Sequence, residues 1–99
     1  MRKDELLEMV NSVNKLSLNK ENATEIMIEF HAIKNKISEF FSDEPKLESR
    51  IKQIEKSEYY DYKLKLDKYL ANELELEELS SAFATLKLAI RSDVYFNRL

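Results

Sequence analysis

The chain contains no glycine, no cysteine and no tryptophan, and only one proline and one histidine. Without glycine there is no Walker phosphate loop, no dinucleotide fingerprint and no glycine-bearing nucleophile elbow, because each needs a positive φ or a missing side chain. Without cysteine there is no disulfide framework, thiolate zinc site, iron–sulfur cluster or cysteine nucleophile. A di-iron bundle requires Glu-x-x-His on each of two helices, which His31 alone cannot supply. No run approaches the roughly 20 apolar residues that span a bilayer, and the first eight residues are charged rather than apolar. Neither a membrane helix nor a signal peptide is expected, which points to a cytoplasmic protein. In that setting Asn22-Ala23-Thr24 matches the glycosylation acceptor pattern by chance. No cofactor is expected.

What is present is a chain that should fold. Its 43% hydrophobic residues can offset the entropy of ordering, and 99 residues suffice for one domain, here residues 1–99. A chain this short buries only about 60–70% of its unfolded surface, so association with a second copy would help. The predicted fold is an all-α bundle of four to five helices, possibly completed by homodimerisation, with helices at about 3–16, 23–41, 45–56, 58–71 and 73–95. The richness in Lys, Asn, Ile and Glu suits an AT-rich bacterial or phage genome.

Hydrophobic spacing sets these helices. Leu6, Met9, Val10 and Val13 share the first face. Ile26, Phe30, Ile33, Ile37 and Phe40 recur at four and three, a heptad seam that Met27 and Phe41 widen into a bundle stripe. Asn22 with Glu25, and Asn72 with Glu75, read as Asn-x-x-Glu helix starts. Pro45 both stops the second helix and opens the third, which buries Leu47, Ile51 and Ile54. Continuing that face would turn Glu58 and Asp61 inward, so a break at Ser57 lets Tyr59, Tyr62, Leu66, Tyr69 and Leu70 define a rotated stripe. Leu76, Leu79, Phe83, Leu86 and Ile90 write the last helix, extended by Val94 and flanked by Ala82, Ala84 and Ala89. The second and last helices are the expected main seam. With no glycine for a left-handed helix end, Asn19 and Asn72 are the expected substitutes.

The residues that could carry function are few. His31 sits at the edge of an apolar stripe with no nucleophile or orienting carboxylate identifiable by spacing, so it reads as a partly exposed structural histidine. Carboxylate pairs among 19 acidic residues carry almost no information. Glu58-Tyr59-Tyr60-Asp61-Tyr62 is the most distinctive stretch: Tyr59 and Tyr62 share a helix face while Tyr60 points about 100° away. Tyrosine suits interfaces, so Tyr59, Tyr60 and Tyr62 are candidate partner contacts, against the plainer reading that all three cover core edges. Tyr95 and Phe96 near the end should dock on the bundle itself or on a partner. The net charge of -3 and interleaved bases make nucleic acid an unexpected partner, with Lys52, Lys56 and Lys63 at most a small strip. Glu73, Glu75, Glu77 and Glu78 could mimic phosphates, although a helix dipole would account for them.

Glu29-Phe30-His31-Ala32-Ile33 and Ser57-Glu58-Tyr59-Tyr60-Asp61-Tyr62-Lys63 are loosely similar to the helical hairpins of the YlbF and YmcA regulators, with no motif specific to them matched across the chain. The size and all-helical plan are similar to those of bacteriocin immunity proteins. The expected function is a small non-enzymatic protein-interaction module: an adaptor, regulator, inhibitor or immunity-type factor that docks an unidentified protein through a helix face. The alternatives are an acidic nucleic-acid mimic acting through residues 73–78 and a small carboxylate or tyrosine enzyme.

Overall fold

The computed structural model describes the backbone of residues 2–96 and the side chains of residues 4–92. Five helices follow one another: α1 (Arg2–Lys15), α2 (Glu25–Phe40), α3 (Pro45–Lys56), α4 (Glu58–Leu70) and α5 (Leu76–Phe96). Among the described residues there is no strand. Pro45 opens α3 because its fixed φ and missing N–H suit a first turn, and Glu44 before it stays outside helical geometry at φ -113 and ψ 75. Phe41, just past α2, folds back into the core, whereas Phe40 is only half-buried, so the α2 seam closes one residue later than its heptad spacing predicts.

Ser57 interrupts α3 and α4 alone, at φ -118 and ψ -87. Its N–H donates back to the Gln53 and Ile54 carbonyls at 3.1 and 3.2 Å, while its own carbonyl accepts from Asp61 N–H at 2.9 Å. One residue thus ends one helix and starts the next. The interruption resets the helical phase, so Leu47, Ile51 and Ile54 of α3 and Tyr59, Tyr62 and Leu66 of α4 all reach the same core.

The two pieces act as one corner of a four-cornered bundle. α1 packs on α2 and α5, α2 on α1 and α3, and α5 on α1, α3 and most extensively on α4. α2 and α5 therefore occupy opposite corners, and the expected α2–α5 seam is replaced by α4–α5, because the broken α3–α4 rod lies along α5. Aromatic rings from the rod bridge both neighbours: Tyr59 stacks on Phe30 at 4.4 Å, and Tyr62 meets Phe83 at 5.7 Å. Among the described residues the buried apolar side chains form a single cluster with no buried polar or charged residue.

The turns show how a chain manages without glycine. Asn72, at φ 62, is the only positive-φ residue among those described. Its N–H donates to Tyr69 O at 3.0 Å and the Glu73 N–H to Lys68 O at 2.8 Å, the paired bonds of a left-handed helix ending. Asn72 ends α4 rather than capping α5, which starts three residues later than expected; the Glu75 carbonyl accepts its first bonds, from Glu78 and Leu79. Asn19 does not adopt positive φ. Its side-chain oxygen accepts from the Glu21 and Asn22 N–H groups at 2.9 Å, and Asn22 answers by accepting from Asn19 N–H at 2.8 Å and donating to the Ser17 carbonyl. Asn22 thus reaches backward into the loop and leaves α2 to begin at Glu25, behind Thr24. At the end of α1, the Lys87 ammonium donates to Leu16 O at 2.8 Å and lies 4.5 Å over the Phe83 ring. A cation there complements the negative helix end, and partial burial lowers the Lys87 pKa.

Truncating Phe30 or Phe83 to alanine should cost about 3–5 kcal/mol each, measured by urea unfolding; losses below about 1 kcal/mol at both would contradict the packing described. At Asn72, glycine should be tolerated and valine should cost about 1–2 kcal/mol, since a β-branched residue resists the left-handed region. Equal melting temperatures for the two variants would refute the assignment.

Candidate interaction surface

The tyrosine stretch divides between core and surface. Tyr62 is fully buried, and its hydroxyl donates to the Ala23 carbonyl, tying α4 to the turn before α2. Burial, which disfavours the phenolate, pushes its pKa up to about 12. Tyr59 is buried too, with its hydroxyl 2.8 Å from His31 Nε2 and its ring edge-on to the imidazole at 5.3 Å. Its pKa is raised by burial and, secondarily, by the Glu55 carboxylate. That carboxylate pairs with Lys34 at 2.6 Å. His31, on the outer edge of α2, therefore spends Nε2 on a core tyrosine 28 residues distant in sequence. Spacing gave no signal of this partnership, because the α3–α4 break sets which tyrosine meets α2. Among the described residues no group of three or more His, Asp or Glu side chains could hold a metal ion, and no helix is long and apolar enough to cross a membrane.

Of the expected partner contacts, Tyr59 and Tyr62 thus lie inside the bundle, where helix–helix packing occupies their rings. Tyr60 remains presented to solvent, 53% exposed, with Leu64 one turn later at 45%. The side chains of Tyr95 and Phe96 lie outside the described residues.

Two further leucines join the surface. Leu70 and Leu76 continue the apolar stripes of α4 and α5 by spacing, yet they are 55% and 38% exposed. Both lie where the stripes run past the end of the core, at the corner where α4 turns into α5. Among the described residues, four of the six exposed large apolar side chains, Tyr60, Leu64, Leu70 and Leu76, thus come from one segment of the chain, whereas Ile28 and Leu88 stand apart on α2 and α5. At the corner, Tyr69, Leu70, Leu74 and Leu76 line a cleft of about 510 Å³, with Lys20, Asn72 and Glu75 on its polar side.

Charge is unevenly compensated. Lys36 holds Glu5 at 2.9 Å and the carboxyl below its usual range, Lys52 lies 3.8 Å from Glu48, and Lys65 lies 3.1 Å from Asp61. The possible basic strip on α3 and α4 is therefore partly neutralised at Lys52. Glu73, Glu75, Glu77 and Glu78 are all exposed and have no ion-pair partner among the described residues.

No protein-family model matches the chain, and neither a curated protein nor a solved structure does.

Tyr62 generates an alkaline signature. Its folded pKa exceeds the ordinary tyrosine value, so the unfolded chain loses this proton first as pH rises. The stabilisation is whole below about pH 10 and should be lost between about pH 10 and pH 12. Tyr62→Phe should cost about 1–3 kcal/mol at neutral pH, by orphaning the Ala23 carbonyl, and should flatten that alkaline loss. Unfolding across pH 8–12 checks this, and an unchanged alkaline slope in the variant would contradict it.

Proposed function

We propose that the chain is a small non-enzymatic protein-interaction module that docks a partner through the surface running from Tyr60 to Leu76. The observation that supports this most is the concentration of exposed apolar side chains there: Tyr60 and Leu64 on the side of α4, and Leu70 and Leu76 at the α4–α5 corner. Each is a large side chain left partly in water, and covering what remains exposed would contribute about 1 kcal/mol. Tyr60 suits the centre of such a patch, since its ring offers rigid area and its hydroxyl stays usable at a wet rim. The other polar aromatic groups favour a structural role, because Tyr59, Tyr62 and His31 spend their polar atoms on one another or on backbone. Adaptor, regulator, inhibitor and immunity-type factor all describe a module of this kind. The phosphate-mimic reading draws on Glu73 to Glu78, yet it leaves the exposed Tyr60 and Leu64 without a role.

Affinity capture from native cytosol with single-residue variants tests the reading. Tyr60→Ala and Leu64→Ala should leave stability within about 0.5 kcal/mol of the parent, because both side chains face solvent. They should weaken retention of a shared partner, by about 2 kcal/mol or 30-fold for a central residue. Ile28→Ala and Leu88→Ala should retain it. Equal retention by all four variants, or no retention by the parent chain, would refute the proposal.

A further inference from the structure

The side of α5 turned away from the core carries almost no charge. In a chain with 35% charged residues, residues 79–90 contain a single one, Lys87. That lysine is committed to its own bundle, with its ammonium on the Leu16 carbonyl at 2.8 Å and over the Phe83 ring. The exposed side chains over these turns are therefore Ser81, Ala84, Thr85 and Leu88, the last at 62%. Thr85 satisfies its hydroxyl on its own helix, donating to the Ser81 carbonyl at 2.9 Å.

Spacing gathers this surface into one stripe. Glu77, Ser81, Ala84, Leu88 and Arg91 recur at four and three, the periodicity of a face that meets another helix, and all five are exposed. α1, α3 and α4 pack on the inner sides of α5 and leave the stripe uncovered. The stripe is complementary to its own reversal. Glu77 stands at one end and Arg91 at the other, with Ala84 midway, about 10 Å from each along the helix. Turned end for end, it sets acid against base and the small Ser80 and Ser81 against Leu88. Neither Glu77 nor Arg91 has an ion-pair partner among the described residues, so both are open to that exchange.

We propose that α5 pairs with α5 of a second copy of this chain, antiparallel, with the two-fold axis beside Ala84. In this arrangement Glu77 of each copy faces Arg91 of the other, and each Leu88 lies against Ser80 and Ser81 across the axis. A two-fold contact uses the same patch on both copies, which is what a stripe matching its own reversal provides. Alanine at the axis permits close approach of the helices. A parallel pair would instead bring Glu77 to Glu77 and Arg91 to Arg91. Ile28, the other isolated apolar residue, lies between Glu25 and Glu29, so pairing there would set acid against acid. The contact uses no residue from Tyr60 to Leu76 and stands independently of the docking function proposed above.

One helix pair about 21 Å long falls at the small end of protein interfaces, so a dissociation constant of about 100 µM is expected. Sedimentation equilibrium of the full chain between about 10 µM and about 1 mM measures it. Dilution should move backbone amide shifts chiefly within residues 77–91. Ala84→Glu places two carboxylates at the axis and Leu88→Ser removes the apolar contact, and each should weaken the dimer about tenfold or more. Glu77→Arg and Arg91→Glu should each weaken it about threefold or more, while the double variant Glu77→Arg/Arg91→Glu should return to within about twofold of the parent. Ile28→Ser and Tyr60→Ala should leave it unchanged. Every substituted side chain is exposed, so circular dichroism should show all variants folded.

A chain that stays monomeric up to about 1 mM would overturn the inference. So would self-association that survives Ala84→Glu, or a double charge variant no tighter than the single ones. Association abolished by Ile28→Ser or Tyr60→Ala would place the contact on another face and overturn it equally.

Discussion

The arrangement of the bundle depends on the break at Ser57. A continuous helix from Pro45 to Leu70 would keep the phase of Leu47, Ile51 and Ile54, turning Glu58 and Asp61 toward the interior. The one-residue interruption instead presents Tyr59 to Phe30 and Tyr62 to Phe83, so the same rod carries contacts to two opposite corners. It also relieves two acidic side chains of a burial that would cost several kcal/mol apiece.

The same economy governs the polar groups. Tyr62 and Tyr59 bring hydroxyls into an apolar interior, and each finds a partner: the Ala23 carbonyl and the His31 ring. Among the described residues no buried side-chain nitrogen or oxygen lacks a hydrogen bond. With those groups occupied, Tyr60 is the tyrosine of the stretch whose hydroxyl and ring lie open to a visitor.

Most of this architecture was legible in spacing alone. The proline-opened α3 and the slip at Ser57 follow from local geometry, which is why their positions match those expected, while the stripe of α2 departs in closing on Phe41 rather than Phe40. Which helices meet was not legible, since pairing depends on how the rod lies, and periodicity assigns an inner face without naming the neighbour beyond it. The exposed corner was hidden for a related reason: Leu70 and Leu76 obey the periodicity of buried residues, and only the finite length of the core reveals that nothing covers them. Asparagine was ambiguous in yet another way. Asn72 uses its tolerance of left-handed backbone, whereas Asn19 and Asn22 use their amides, and residue type does not distinguish these roles.

The bond from Tyr62 to Ala23 reaches beyond its own pair. It closes a span of 39 residues and fastens the loop containing Lys20 to the middle of α4. One side of the corner cleft is thereby mortgaged to the cooperative unfolding of the whole molecule, while the other side, Glu73 to Glu75, hangs on the single left-handed residue Asn72. The two sides of the corner are thus held by different means, a long-range side-chain bond on one and a left-handed, hydrogen-bonded backbone turn on the other.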